Sequence, residues 1–273
     1  MKTHKIGFIG GGNMASSLIN GLIQSGHSAA HIWVFDIDHN ATLSLSQNFG
    51  VNIADDNLAI AEAVDVVVLA VKPQALPVVA RNISQSVVHN RPLVISIAAG
   101  ISEQSLANWL GNTIAIVRCM PNTPALVRTG ATALHANGQV TPEQRNLAES
   151  ILRSVGLSLW VTHEKELDAV TAISGSGPAY FFLLMEAMEN TAVELGLSAE
   201  TARLLIQQTA LGAAKIALEA SESPEQLRNR VTSPGGTTEQ AIKTFEQGNF
   251  GQLVANALHA AYNRAIELSI QTE

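Results

Sequence analysis

The stretch "KIGFIGGGNMASSLINGLIQSG", Lys5 to Gly26, decides the fold. "KIGFIG" is a short apolar run that ends in glycine. From Asn13 to Gly26 the apolar residues recur at Met14, Leu18, Leu22 and Ile23, the spacing of a helix with one buried face. The joint between them reads Gly10-x-Gly12-x-x-Ala15. In a strand–turn–helix setting the first glycine makes the tight turn. The second leaves room for a phosphate to approach the backbone, and the third position must be small for the helix to pack on the strand. The amides that open the helix, around Asn13, Met14 and Ala15, then suit a pyrophosphate. A bare glycine turn at a strand end has the same letters. The position of this one, at the head of a series of strands and helices, favours dinucleotide binding.

Outward from it the series continues. "HIWVFD" (31–36), "AVDVVVLAVKP" (63–73), "RPLVISIAAG" (91–100) and "TIAIVRCMP" (113–121) are further apolar runs, each stopped by glycine, proline or a charge. Stretches of helical length separate them. Continuous β-branched runs mark strands covered on both faces, and alternation with helices predicts parallel order. The expected fold is α/β, a doubly wound dinucleotide-binding domain over 1–162. After His163 no strand pattern remains, and 163–273 reads as an all-helical substrate and dimerisation domain. Gly196 ends one of its helices and Ser198 caps the next. Pro178 opens another.

Composition narrows the function. The chain has 273 residues, 47% of them hydrophobic and only 14% charged, with 16 Lys+Arg against 23 Asp+Glu. A net charge of −7 and no basic cluster speak against a nucleic-acid partner. So little surface charge suggests burial against other subunits. One cysteine, Cys119, excludes a disulfide within the chain, and the histidine spacing offers no zinc site, so no metal is expected. The longest strongly apolar run is too short for a membrane helix, and the start of the chain lacks a cleavable signal. These point to a cytoplasmic protein with no membrane partner.

Ligands in open α/β sheets sit at the carboxyl ends of the strands. Asp36 ends the second strand. There it either accepts from an adenosine ribose hydroxyl and repels a 2′-phosphate, or faces solvent in the loop; NADH and NADPH both stay open. Val71, Lys72 and Pro73 follow the third long strand. "PNTP" (121–124) follows the last one and stiffens the backbone around Asn122 and Thr123.

Far downstream, "RVTSPGGTTEQAI" (230–242) interrupts a helical region. Ser233, Gly235, Gly236, Thr237 and Thr238 make a hydroxyl-rich helix start, with Thr237 or Thr238 expected to cap the helix. Glycines without Cβ and amides at a helix start suit a small carboxylate. An ordinary connection between helices is the alternative. "SGSGPAY" (174–180) is equally open: it lines a site or seats one helix.

Together "GFIGGGNMA", "AVKP", "SIAAG", "RCMPNTPALV", "SGSGPAY" and "SPGGTT" resemble the Δ1-pyrroline-5-carboxylate reductases, from Lys5 to about Leu268. The resemblance implies reduction of the cyclic imine L-1-pyrroline-5-carboxylate to L-proline by NADPH or NADH. It implies a Rossmann domain joined to a helical domain that interlocks into a homodimer, with dimers assembling in some relatives into a decamer of five dimers. It places Gly10, Gly12, Asn13, Met14 and Ala15 on the pyrophosphate, and Val71, Lys72, Pro73 and Asn122 beside the nicotinamide half. Ser233 to Thr238 form the substrate loop, with Thr238 near the imine nitrogen. Asp36 departs from the small polar residues common in relatives. Two rival readings differ in class. A β-hydroxyacid dehydrogenase resembles G-x-G-x-x-x-K, but Phe181 stands at the lysine position here. A catalytically silent dinucleotide sensor would need an output surface that the sequence does not display.

Overall fold

The computed structural model describes residues 4–270. Its sheet holds eight strands: β1 (Ile6–Ile9), β2 (Ile32–Phe35), β3 (Asn52–Ile53), β4 (Val66–Leu69), β5 (Leu93–Ser96), β6 (Ile116–Met120), β7 (Gly130–Ala136) and β8 (Gly156–Trp160). Their order is β3-β2-β1-β4-β5-β6-β7-β8. Strand order reverses between β1 and β4, so a crevice opens at the carboxyl ends of those two. Helices α1 (Asn13–Gln24), α2 (His39–Phe49), α3 (Asn57–Ala63), α4 (Leu76–Asn90), α5 (Glu103–Leu110) and α6 (Pro142–Arg153) cover the sheet. Alternate residues of one strand go to opposite cores. Val66 and Val68 pack with Phe8, Leu18 and Leu152, whereas Val67 and Leu69 pack with Ile60, Ile83 and Leu106. This two-sided burial is why the strands read as unbroken apolar runs.

The sheet is mixed, not wholly parallel. β7 runs antiparallel to β6, while β8 is parallel to β7. β3, β7 and β8 were not among the expected strands. β7 reads "GATALHA", too rich in small residues to announce itself. β4 is also shorter than its apolar run, because α3 extends through Ala63 and the strand stops at Leu69.

Beyond β8 the chain is helical, as read. It forms α7 (Glu166–Val170), a π-turn (Thr171–Gly175), α8 (Gly177–Glu194), α9 (Ala199–Glu219), α10 (Pro224–Arg230), α11 (Thr237–Gln247) and α12 (Phe250–Ile270). Gly196 takes a φ of +99° after α8, and the Ser198 side chain accepts the Thr201 N–H to cap α9. Two compact units result: residues up to 178 together with those from 261 onward, and residues 179–260. α7 packs on β6 and β7, so the change to helix near residue 163 precedes the change of packing unit.

The second unit leaves large apolar side chains bare. Phe181, Phe182, Leu183, Leu204, Leu211, Ile216, Leu218 and Leu253 are all exposed. So many exposed large apolar side chains in one unit call for a covering partner.

Candidate active site

The glycine turn joins β1 to α1 at the crevice. Gly10 adopts φ +107°, and a Cβ there would lie 2.6 Å from the Ala70 carbonyl carbon and oxygen. It is glycine because two strand ends converge at this point. Gly12 is different. Its φ of −72° and ψ of −174° suit any residue, and a Cβ would meet nothing within 4 Å. The protein therefore makes no use of that emptiness itself. Gly12 is also the N-cap of α1, with no side-chain cap and no acidic residue in the first turn. The amides of Asn13, Met14 and Ala15 lack intrahelical acceptors by helix geometry. An open backbone and an uncapped helix start fit the pyrophosphate of a dinucleotide.

Asp36 follows β2 directly. Its Oδ2 accepts the Gly11 N–H at 2.7 Å and its Oδ1 accepts the Asp38 N–H at 2.9 Å. Oδ2 is thus tied to the glycine turn and Oδ1 to the loop that follows β2, and the residue is half-buried. Val71, Lys72 and Pro73 lie just past β4, with Lys72 exposed and its carbonyl accepting the Ala75 N–H at 3.0 Å.

Asn122 leads into a 3-10 turn, Thr123–Val127. Its side chain is committed at both ends: Oδ1 accepts the Ala131 N–H at 2.8 Å, and Nδ2 donates to the Ser174 carbonyl at 3.0 Å. Within the π-turn Ala172 is buried and Ile173 exposed, and Gly175 faces Met120.

A charged cluster near β6 escaped the sequence reading. Arg118, with its side chain 7% exposed, donates from Nη1 to Glu164 Oε1 at 2.8 Å. That oxygen also accepts the Glu103 N–H at 2.8 Å. Glu103 in turn meets His135 Nδ1 at 2.7 Å. Burial pushes the Glu103 carboxyl up, against the His135 hydrogen bond. The one available signal was an arginine inside an apolar strand. Beside it, burial drives the Cys119 thiol far above its ordinary range, so Cys119 is an inert core residue. Among the described residues no three His, Cys, Asp or Glu side chains gather as a metal site.

In the second unit, "SPGG" forms a tight turn before α11. The Gly236 N–H donates to the Ser233 carbonyl at 3.0 Å, and Gly235 takes φ +72°. Pro at the second and glycine at the third position are the signature of a type II turn. The helix starts at Thr237 with Gly236 as N-cap and no side-chain cap. The expected threonine cap is therefore absent, since the turn closes one residue earlier. Glu239 instead reaches back, its Oε2 accepting the Gly235 N–H at 2.9 Å. That bond and Lys243 hold the Glu239 carboxyl below its ordinary range. The Gly235 and Gly236 amides are thus spent, while the Thr237 and Thr238 amides face out of the first turn without intrahelical acceptors. Thr238 is half-buried.

Comparisons with known proteins agree along the whole chain. Residues 164–268 match the family described as pyrroline-5-carboxylate reductase dimerisation. Residues 5–100 match the one described as NADP oxidoreductase, coenzyme F420-dependent. The pyrroline-5-carboxylate reductase of Pseudomonas aeruginosa is 49% identical over 271 residues, covering 99% of each chain. That of Escherichia coli is 38% identical, covering 97% of this chain and 98% of its own. The solved structure of a pyrroline-5-carboxylate reductase from Coxiella burnetii superposes with a TM-score of 0.94 at 50% identity, covering 98% of this chain and 99% of its own. The Plasmodium falciparum enzyme, solved with NADP bound, gives 0.88 at 30% identity, with coverage of 98% and 99%. With its open dinucleotide turn, its helical second half and full-length likeness of this degree, the chain belongs to the pyrroline-5-carboxylate reductase family, whose members are NAD(P)H-dependent oxidoreductases.

Proposed function

We propose that this chain reduces L-1-pyrroline-5-carboxylate to L-proline, the last step of proline biosynthesis, with the work divided among the residues above. The observation that carries the reading is the unused space at Gly12, at the uncapped start of α1. The amides of Asn13, Met14 and Ala15 hold the pyrophosphate, and Asp36 takes the adenosine ribose. Val71, Lys72 and Pro73 border the nicotinamide half. When bound, the dinucleotide supplies the hydride. The Thr237 and Thr238 amides hold the substrate carboxylate, and the Thr238 hydroxyl meets the N–H of the protonated imine. The nitrogen arrives with its proton, so the π electrons of the C=N bond collapse onto it as the new C–H bond forms. No acid or oxyanion hole is required, in contrast to carbonyl reduction. Positioning is then the main burden on the protein. The apolar Phe181 supports an imine over an alcohol substrate, because it has no charge to offer an alkoxide.

Residues 163–273 serve as the substrate and dimerisation domain in this reading. Among the described residues one apolar helical span, Glu166–Glu194, is long enough to cross a membrane, and little of it is buried. It lies inside the region matched to dimerisation, so a second subunit is the cover we infer. The protein would be a cytoplasmic homodimer or a decamer of five dimers, without membrane or nucleic-acid partners. Purified protein mixed with pyrroline-5-carboxylate should oxidise NADPH or NADH, followed by absorbance, and form proline in equal amount. Cofactor binding without turnover would favour the sensor. Turnover of β-hydroxyacids alone would favour the alcohol dehydrogenase. The molar mass of the same preparation by light scattering should be at least twice the 28.9 kDa of one chain.

Asp36 sets cofactor choice. Its fixed carboxylate faces any 2′-phosphate as a like charge. Two unit charges about 4 Å apart repel by roughly 1–4 kcal/mol between water and a protein surface. Asp36→Ser should therefore raise the ratio of kcat/KM with NADPH to that with NADH by at least about fivefold. An unmoved ratio would remove Asp36 from the ribose site.

A further inference from the structure

Ser174 lies four residues before Pro178. In an α-helix its carbonyl would accept the N–H of residue 178, and proline has none. The donor comes from elsewhere in the fold: Asn122 Nδ2, 3.0 Å away. The same side chain accepts the Ala131 N–H at 2.8 Å through Oδ1, and Asn122 is only 9% exposed. One buried amide thus joins the end of β6, the start of β7 and the π-turn. Beside it, a Cβ on Gly175 would come within 2.6 Å of Met120 Cε. The "MPN" and "SGSGP" stretches are therefore built on each other, one bond replacing what a proline removed.

The geometry points to Asn122 as a positioning residue for hydride transfer, a surrogate donor that fixes the π-turn against the carboxyl end of β6. The inference rests on the reductase reading and changes one part of it: the amide serves the turn and makes no bond to the nicotinamide. π-turns inside helices are uncommon and recur at functional sites. This one lies at the strand ends where ligands of such sheets bind, and the chain leaves the first unit right after it, at Pro178. Hydride transfer is sensitive to misplacement on the scale of an ångström. Loosening the turn should then cost rate more than it costs cofactor binding.

Asn122→Asp is the informative variant. It keeps an acceptor for the Ala131 N–H and sets a carboxylate oxygen against the Ser174 carbonyl. In the intact oligomer its kcat should fall by about tenfold, with the Kd for NADPH and NADH, read by fluorescence quenching, within about twofold of wild type. Adding Pro178→Ala supplies the backbone N–H that the helix lacks, and N122D/P178A should recover at least threefold of the lost kcat. If N122D does not fold, recovery of a folded, active enzyme by P178A supports the clamp, and failure to recover overturns it. A large rise in cofactor Kd, unrelieved by P178A, would also overturn it and return the amide to the nicotinamide. Wild-type enzyme run alongside separates the two readings: without pyrroline-5-carboxylate turnover there, the reductase assignment itself fails, while P178A rescue of N122D thermal stability still reports the clamp.

Discussion

Gly12→Val is expected to weaken binding of both NADPH and NADH by at least about a hundredfold, or some 2.7 kcal/mol, while the enzyme stays folded. Both halves of that expectation come from local geometry. The backbone at Gly12 is extended in ψ and ordinary in φ, so a branched residue sits there without strain. Nothing in the protein lies within 4 Å of the new Cβ, so no core contact is disturbed. The loss to stability is the poorer N-cap, roughly 1 kcal/mol. The side chain instead fills the space through which a pyrophosphate reaches the first amides of α1. Gly10 makes the control. A Cβ at that position collides with the Ala70 backbone at 2.6 Å and must hold φ +107°, so Gly10→Ala should lower the melting temperature before it says anything about cofactor. The two glycines of one fingerprint therefore separate by assay: titration for Gly12, thermal melting for Gly10. Wild-type affinity in the Gly12→Val protein would show that the dinucleotide does not use this turn.

The distinction between these glycines marks what a sequence carries and what it does not. Five strands are legible because burial on both faces demands unbroken runs such as "VVVL" in β4. β7 is not, because its residues are small, and β8 is not, because its short run turns Leu157 and Leu159 outward and buries Ser158. Val66 to Leu69 look alike in sequence, yet they divide between two cores. Residue types at strand ends were also readable, since glycine, proline and acid at those points have few structural uses. Their partners were not. That Asp36 holds the Gly11 amide, 25 residues away, or Asn122 the Ser174 carbonyl, 52 residues away, depends on how distant segments meet. Threonine capping of α11 failed for a local reason instead. Hydroxyl propensity favoured Thr237 or Thr238, but the Pro234–Gly235 turn had already closed onto Gly236. The result leaves both threonine hydroxyls out of the cap and available for other contacts.

Thr238→Ala should lower kcat/KM for pyrroline-5-carboxylate by ten- to a hundredfold, about 1–3 kcal/mol, the cost of leaving one polar partner unmatched. The variant should fold normally. Thr238 is the second residue of α11, its hydroxyl caps nothing, and alanine is the better helix former. Cofactor affinity should hold, because the turn belongs to the second unit and the glycine fingerprint to the first. Thr238→Ser, which keeps the hydroxyl, should recover most of the rate. Thr237→Ala should cost less, since Thr237 contributes its backbone amide. The loss at Thr238 should also be partial. A protonated imine accepts hydride without a proton from the protein, so the hydroxyl orients the ring and completes a hydrogen bond in the transition state. A folded Thr238→Ala enzyme with no activity would mean that Thr238 moves a proton, and the imine would then need the acid that this mechanism omits. Activity equal to wild type would make "SPGGTT" a turn and a helix start and nothing more. The intermediate outcome separates positioning from acid–base catalysis in a site whose substrate brings its own proton.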